Sequence, residues 1–325
     1  MTCAIPRLMT RGVVIALVLA SIGGLAYGQS GGQGRWTPKA ALDMARNEVV
    51  AAAVNGRVYV LGGNTREKYD LTLNDEYDPA TGKWRSRAPM PSGSNHMGAF
   101  PLNGMIYAVG GFTASGHRAA TTNVFAYDPA ADSWAAVAPL PVERGSIAVT
   151  ALNGKIHAIG GRNDKEMTEH HHVYDPATNT WSTAAPISRG RDHMTAQAIN
   201  GKIHVIGGRW GASTEKTDTH EIYDPASNSW TFGPPLPTPR SGIAGVIYND
   251  MIFVVGGETG SGGPTFVENE AFDPKSNKWM TLAPMPAGRH AFGLAVVDST
   301  LYVVAGAYGS GGTGITPDVI AFTLP

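Results

Sequence analysis

Short apolar runs, each bounded by turn-forming residues, recur along almost the entire chain. One run follows a two-residue turn and ends in two glycines, as in NGRVYVLGG at residues 55–63. Close copies begin at residues 103, 153, 200, 249 and 298, so the pattern repeats every 47 to 50 residues. Short apolar runs between turn residues are typical of β-strands. The pattern therefore predicts repeated units that are built from short strands.

Each copy is expected to contain four strands. The first two flank the two-residue turn, which is Asn-Gly in four copies and fits a type I′ hairpin. A polar loop follows the two glycines, and the third strand ends in Tyr-Asp-Pro or a close variant. A tryptophan opens the fourth strand, and a proline-rich corner leads into the next copy. These tryptophans are Trp84, Trp134, Trp181, Trp230 and Trp279.

Six such units predict an all-β protein, a six-bladed β-propeller with four-stranded blades over residues 35–325. A single four-stranded sheet leaves two apolar faces open, whereas six sheets in a ring cover one another. The sixth copy ends at residues 319–324 without a following tryptophan, but Trp36 precedes the first copy. The N-terminal strand near Trp36 is therefore expected to complete the last blade and to close the ring.

The Gly-Gly, Tyr-Asp-Pro and tryptophan landmarks resemble the kelch motif, and the resemblance extends from Trp36 to Leu324. It implies a six-bladed propeller, and kelch propellers include enzymes, scaffolds and adaptors. The last copy departs from the motif, with Ala305 before Gly306 and with Phe322 in place of Tyr-Asp-Pro. In size, repeat number and signal, the chain is similar to bacterial exported kelch proteins that interconvert the anomers of N-acetylneuraminate.

Residues 1–28 are predicted to be a secretory signal peptide. Arg7 and Arg11 precede an apolar stretch from Gly12 to Ala26, and small residues follow. An uncleaved membrane anchor is the alternative, but the stretch is shorter than the roughly 20 residues that span a bilayer. We therefore expect a periplasmic or extracellular monomer that does not insert into the membrane after cleavage. Residues 29–34 are expected to form a flexible tether.

Charge and cysteine content exclude several classes of function. Without the two arginines of the signal, 23 basic side chains face 26 acidic ones, and no run of Lys or Arg indicates nucleic-acid binding. Cys3 is the only cysteine and lies in the signal, so the mature chain has no disulfide and no thiolate. Copper radical oxidases similar to galactose oxidase need a cysteine crosslinked to a tyrosine, so that activity is excluded.

Five of the six copies carry an arginine ten residues before the second residue of the hairpin turn, and the remaining copy has Ser94. In similar kelch propellers such arginines rim the channel and hold carboxylates, which a guanidinium matches bidentately. The alternative is that each arginine ties down neighbouring loop carbonyls or pairs with an acid in the adjacent blade. The predicted ligand-binding residues are Arg46, His96, Arg144, Arg191, Arg240 and Arg289.

Two residues beyond the arginine positions, Glu48, His96 and His193 are expected near the mouth of the channel. Glu48 and His193 are the candidates for proton transfer, although these side chains could equally be hydrogen-bonding walls of a sugar or peptide pocket. The run from His170 to His172 raises the question of a metal, but no third ligand can be located from the sequence. No metal and no cofactor is therefore predicted.

Two functions remain open. The first is a binding module that holds a protein segment or an acidic glycan with its loop face and its channel mouth. The second follows from the resemblance to the N-acetylneuraminate proteins and is a cofactor-independent mutarotase or epimerase of sialic acid or a related acidic sugar. In that case Arg46, Arg191 and Arg240 would bind the sugar carboxylate, and Glu48 or His193 would move the proton.

Overall fold

The computed structural model of the protein describes residues 1–2, 34–211, 215–260 and 262–325. The predicted signal peptide and tether fall almost entirely on residues 3–33, outside the described residues. Within the described residues the chain forms six four-stranded antiparallel sheets, numbered as blades 1 to 6 along the chain. No helix in this part of the chain is both long enough and apolar enough to cross a membrane.

Each blade runs from a strand at the central channel to a strand at the outer rim. The innermost strands are Val50–Val54, Gly98–Leu102, Ala148–Leu152, Thr195–Ile199, Ala244–Tyr248 and Gly293–Val297. The second strands are Arg57–Leu61, Met105–Val109, Lys155–Ile159, Lys202–Ile206, Met251–Val255 and Thr300–Val304. The third strands are Asn74–Asp78, Val124–Asp128, His171–Asp175, His220–Asp224, Asn269–Asp273 and Val319–Thr323. The outermost strands are Lys83–Ser86, Ser133–Ala136, Thr180–Ala184, Ser229–Phe232, Lys278–Thr281 and Arg35–Lys39.

The innermost strands of neighbouring blades contact one another all the way round the ring, so the hydrophobic core lies between adjacent blades. Two of the loops that follow a second strand also fold into small hairpins. In blade 2, Phe112–Ala114 pairs with Arg118–Ala120, and in blade 6, Ala307–Gly309 pairs with Thr313–Ile315 across the 3₁₀ turn Ser310–Gly312. These hairpins lie on the face that carries the variable loops.

The glycines of the repeat occupy positions that few other residues could take. Asn55 and Gly56 of the first hairpin turn have φ angles of 50° and 72°, as a type I′ turn requires. Gly63, the second glycine after the strand, has a φ of 93°. A Cβ atom on Gly63 would lie 2.5 Å from the carbonyl oxygen of Asn47, so a larger residue cannot fit without a backbone shift.

The repeat tryptophans fasten each blade to the preceding one. Their indole Nε1 atoms donate hydrogen bonds of 2.7 to 3.0 Å to backbone carbonyls that follow the outermost strand of the preceding blade. The pairs are Trp36 with Ala283, Trp84 with Ala40, Trp134 with Ala88, Trp181 with Ala138, Trp230 with Ala185 and Trp279 with Pro234. Six of the seven tryptophans thus have one architectural role, and Trp210 does not share it.

The N-terminal strand closes the ring, as the sequence predicted. Arg35–Lys39 pairs antiparallel with Val319–Thr323, and Trp36 lies opposite Phe322 with ring centroids 5.0 Å apart. The first and last described strands therefore belong to one sheet. This pairing removes the two open edges that a linear array of blades would leave.

Candidate functional site

The channel along the axis of the ring encloses a cavity of about 440 Å³. The innermost strands line it, largely with alanine, valine and other apolar residues. Polar side chains collect at the end where these strands begin, which is the end that also carries the variable loops. We call this end the mouth; its polar lining includes Glu48, His96, Ser146 and His193.

One residue of each blade forms a backbone ring at the mouth. The six residues all have left-handed φ angles between 49° and 64°, and they are Glu48, His96, Ser146, His193, Gly242 and Ala291. Four hydrogen bonds link their backbones from blade to blade, each from an amide N–H to the carbonyl of the preceding blade, at 2.7 to 3.3 Å. These links between blades fix the direction in which the side chains of Glu48, His96, Ser146 and His193 leave the backbone.

Glu48 and His96 meet at the mouth, with Oε2 of Glu48 3.0 Å from Nε2 of His96. On the other side of the imidazole, Nδ1 of His96 lies 2.5 Å from Oδ1 of Asn95. The amide nitrogen of Asn95 donates to the carbonyl of Phe112 at 3.0 Å, which fixes Oδ1 as the acceptor for His96. Burial alone would raise the pKa of Glu48, but His96 and the more distant His193 and His290 hold it below its usual value.

His193 rests on a buried carboxylate, with its Nδ1 2.8 Å from Oδ1 of Asp192. Arg209 donates through Nε to the same oxygen at 2.9 Å, and its Nη2 lies 3.3 Å from Nε2 of His193. Burial would raise the pKa of Asp192, but His193 and Arg209 lower it. Burial and the charge of Arg209 in turn lower the pKa of His193. The predicted proton-transfer residue His193 is therefore held neutral beside a carboxylate.

The polar network continues from Arg209 towards blade 6. Nη1 of Arg209 donates to Glu258 at 3.2 Å, and the other oxygen of Glu258 lies 3.3 Å from Nε2 of His290. That oxygen also accepts a hydrogen bond from the amide of Gly311 at 3.0 Å. Acids and bases of three blades thus share one network at the mouth, which suits binding of a polar ligand or proton exchange with it.

His117, which no motif of the sequence marks, completes the mouth. The blade 2 hairpin carries it over the channel, and His117 itself has a φ of 58°. Its ring centroid is 4.6 Å from that of His96 and 5.1 Å from that of His193. Burial and the neighbouring charges lower the pKa of His117 to about 2, so the imidazole is neutral. Its loop does not repeat between copies, so its position at the mouth could not be read from the repeat.

The five predicted ligand-binding arginines do not rim the mouth. They are at most 1% exposed, and the cavity is lined by other residues. Each guanidinium lies inside its own blade and donates to a backbone carbonyl at the end of the second strand, as Arg46 does to Val60 at 3.1 Å. The carbonyl acceptors for the other four are Ala158 for Arg144, Val205 for Arg191, Val254 for Arg240 and Ala305 for Arg289.

The third strand supplies a further partner for four of these arginines, whereas Arg289 donates to the Asp318 carbonyl at 2.9 Å and to the hydroxyl of Tyr308 at 3.0 Å. Arg46 pairs with Asp75 at 2.7 Å, and Arg191 and Arg240 pair with Glu221 and Glu270. Arg144 contacts Nδ1 of His172 at 3.0 Å instead, and burial lowers its pKa to about 10. Blade 2 has neither half of the pair, because Ser94 and Phe125 occupy the two positions. The expected rim is therefore replaced by internal supports, since a buried guanidinium needs acceptors that only its own blade provides.

The run of three histidines lies in the third strand of blade 3 and its approach. His171 is buried, with Nε2 2.8 Å from Nδ1 of His157 and Nδ1 3.1 Å from the carbonyl of Ala185. His172 contacts Arg144, as described above. Ring nitrogens of His171 and His172 are therefore already in contact with other groups of the protein.

A second concavity opens on the loop face. This cleft encloses about 340 Å³ and is lined by Arg162, Lys165, Glu166, Met167, Arg189, Gly190, Trp210 and Gly211. The guanidinium carbon of Arg189 stands 4.5 Å from the centroid of the Trp210 ring. Among the described residues, Lys165 and Arg189 form no ion pair, whereas Arg162 lies 3.8 Å from Asp192. The signal in the sequence was that Trp210 is the one tryptophan out of register with the repeat.

Comparison with known proteins identifies the repeat. A family model of the Kelch motif matches residues 45–91, 95–141, 190–237 and 239–286, and a second model of the Kelch motif matches residues 143–188. The chain belongs to the kelch-repeat family. The matched residues cover the first five kelch units, and the closing blade is the copy that departs from the motif.

A solved structure described as "Structure of YjhT" superimposes on this kelch protein with a TM-score of 0.72. The two sequences are 18% identical, and the match covers 87% of this chain and 96% of that one. At this identity the likeness concerns the fold alone. No curated protein sequence matches the chain.

Proposed function

We propose that this protein is an exported kelch propeller that binds an acidic segment of a partner protein on its loop face. The observation that carries the proposal is the cleft in which Arg162, Lys165 and Arg189 surround Trp210. Three cationic side chains against the single acid Glu166 favour carboxylates. Variable loops on a rigid scaffold are the usual place for recognition.

The structure of the cleft supports a peptide ligand in two further ways. Lys165 and Arg189 are exposed, and neither forms an ion pair among the described residues. A partner can therefore bind their charges without breaking such a pair. Trp210 is half-buried and offers an aromatic surface of the kind that anchors protein interfaces. Kelch propellers also mediate protein interactions generally, which makes the loop face the expected docking surface.

The test is a titration of the mature protein, from Gln29 onward, with a glutamate-rich peptide and with a glutamine-rich peptide of equal length. We expect only the acidic peptide to bind, with an affinity that falls as salt is added. A variant with Lys165→Ala and Arg189→Ala should lose at least about tenfold in affinity, or ~1.4 kcal/mol. Lys83→Ala, at an exposed outer strand, is the matched control and should leave binding unchanged.

Equal binding of both peptides, or wild-type affinity of the double variant, would contradict the proposal. Binding of an oligomeric uronic acid in place of the peptide, with the same dependence on Lys165 and Arg189, would assign the cleft to an acidic glycan. Export is tested separately by cell fractionation of the full chain and of a chain without residues 2–28, which should remain in the cytoplasm.

The second function, a sialic-acid mutarotase, stays a prediction. Glu48, His96 and His193 at the mouth are proton donors and acceptors of the kind that anomer exchange needs. The arginines assigned to the sugar carboxylate, however, lie inside the blades. An assay of anomer exchange with N-acetylneuraminate tests this function directly, with Glu48→Gln as the variant that should abolish it.

A further inference from the structure

We propose that His96, His117 and His193 form a binding site for a divalent transition-metal ion, with Zn²⁺ as the first candidate. The inference goes beyond the proposed function, because the mouth of the channel is a different site from the basic cleft. One ring nitrogen of each of the three histidines lies within 4.8 Å of those of the other two. Imidazole is a preferred ligand of zinc, copper and nickel.

The distances suit a site that closes around an ion. Zinc–nitrogen bonds of about 2.1 Å in a tetrahedral arrangement place two ligand nitrogens about 3.4 Å apart. The histidine nitrogens lie within 4.8 Å of one another, so binding would require side-chain rotations that shorten these separations by up to about 1.4 Å. His117 lies in a hairpin loop rather than in a blade, so its ring is the one that moves with least disturbance of the fold.

Nε2 of His117 is a buried polar atom without a hydrogen-bond partner among the described residues. An imidazole nitrogen that is removed from water and left unpaired is unfavourable unless something binds to it. Its neighbours at the mouth are the rings of His96 and His193 and the ring of Phe112, which stands 5.5 Å away. A metal ion shared with the two histidines gives this nitrogen its missing partner.

The histidines of the backbone ring are oriented as metal ligands usually are. Nδ1 of His96 lies 2.5 Å from the Asn95 amide oxygen, and Nδ1 of His193 lies within ion-pair distance of the Asp192 carboxylate, at 2.8 Å. The Nε2 atoms face protein groups of the mouth, that of His96 at 3.0 Å from Glu48 and that of His193 at 3.3 Å from Arg209. A carbonyl or carboxylate behind the ring fixes the tautomer and raises the basicity of the ligating nitrogen.

The charges around the mouth also favour a cation. Glu48, Asp192 and Glu258 bring three carboxylates, of which Glu48 lies 3.0 Å from Nε2 of His96 and can act as the fourth ligand or hold a bound water. Arg209 and Arg162 are the opposing charges. The contact of Arg209 with Nε2 of His193, at 3.3 Å, places a donor where an incoming ion would bind, and Arg209 keeps Asp192 and Glu258 when it is displaced.

The test uses the mature protein, stripped with a chelator and titrated with Zn²⁺ by calorimetry and with Co²⁺ by absorption spectroscopy. We expect one ion per chain and, for Co²⁺, the intense visible bands of four-coordinate geometry. His117→Ala should weaken Zn²⁺ binding by at least about tenfold and remove the cobalt bands. Its matched control is His170→Ala, a half-buried loop histidine outside the cluster, which should bind as the wild type does.

Two outcomes would overturn the proposal. One is no uptake of Zn²⁺, Co²⁺, Ni²⁺ or Cu²⁺ by the wild type. The other is uptake that survives in His117→Ala and in His193→Ala alike. Thermal melting of the metal-free variants separates loss of a ligand from loss of the fold. The variant with Lys165→Ala and Arg189→Ala should bind Zn²⁺ normally, so failure of either proposal leaves the other standing.

Discussion

Asp192 is fully buried, and one of its carboxylate oxygens accepts a hydrogen bond from Nε of Arg209 at 2.9 Å. The same oxygen lies 2.8 Å from Nδ1 of His193, so one carboxylate holds both a cation and an imidazole of the mouth. The isolated β-bridge between Asp192 and Arg209 brings the start of an innermost strand against the loop that follows the second strand of the same blade. The two side chains therefore join strand and loop at the mouth.

Replacing this carboxylate should destabilise the fold strongly. Asp192→Asn keeps the volume of the side chain but leaves the buried Arg209 with Glu258 as its remaining carboxylate. Breaking a buried ion pair typically lowers the free energy of unfolding by about 3 to 5 kcal/mol. Urea denaturation at pH 7 measures the change. Asp175→Asn, which removes the exposed pair with Lys155, is the control and should change stability by less than about 1 kcal/mol. Equal effects of the two variants would show that burial of the pair is not what matters.

The arginines inside the blades are expected to act on stability and not on ligand binding. Arg191→Ala leaves Glu221 buried without its cation and should lower the free energy of unfolding by about 3 to 5 kcal/mol. Arg191→Met with Glu221→Leu removes both charges and should recover most of that loss, because blade 2 folds with Ser94 and Phe125 at these positions. Denaturation curves of the three proteins check this. If the double variant is as stable as the wild type but no longer binds an acidic ligand, Arg191 has the ligand-binding role that the sequence predicted.

Stability should fall in acid because of two buried histidine pairs. Nδ1 of His204 lies 2.8 Å from Nε2 of His220, and His157 and His171 form the same contact in blade 3. Burial lowers the pKa of His204 to about 3 and that of His220 to about 4, from a usual 6.5. Below pH 6.5 the unfolded chain therefore binds protons that the folded chain does not, and the free energy of unfolding decreases as the pH falls towards 4.

The variant that tests this carries His204→Phe and His220→Asn, which reproduces Phe253 and Asn269 of blade 5. Urea denaturation between pH 7 and pH 4 should show a slope that is smaller by about 1 to 3 kcal/mol per pH unit than that of the wild type. A slope equal to that of the wild type would mean that these histidines are protonated in the folded state.

Two tryptophans should respond in opposite ways to replacement. Trp36→Ala removes the ring that packs on Phe322 and the hydrogen bond to Ala283, so we expect a loss of about 3 kcal/mol in the free energy of unfolding. Trp210→Ala should change stability by less than about 1 kcal/mol and weaken binding of the acidic peptide. Chemical denaturation and peptide titration of both variants distinguish the roles. A ligand effect of Trp36→Ala in the folded protein would contradict this division.

The repeat made the architecture predictable. Gly-Gly, Tyr-Asp-Pro and tryptophan mark turns, wedges and blade contacts, and their register alone gave the six blades and the closure by the strand around Trp36. The positions of Glu48, His96 and His193 at the mouth followed from the same register, since strand starts face the channel.

What the sequence left undetermined are side-chain directions and loops. The backbone at the arginine positions turns those side chains into the blades, and only the third-strand partners, such as Asp75 and Glu221, reveal why. His117 and Trp210 lie in loops whose sequences differ from copy to copy, so no register places them. Their positions depend on how each loop folds back over the ring.

The backbone ring at the mouth separates the frame of this protein from its chemistry. Its amide-to-carbonyl links run through Glu48, His96, Ser146, His193 and Gly242 without using any side chain. Five different residue types, from glycine to glutamate, already occupy the six left-handed positions. Natural or laboratory variation can therefore install a new functional group at Ser146 or Ala291, which already carry side chains at left-handed φ angles, and the propeller can acquire another reactivity without being redesigned.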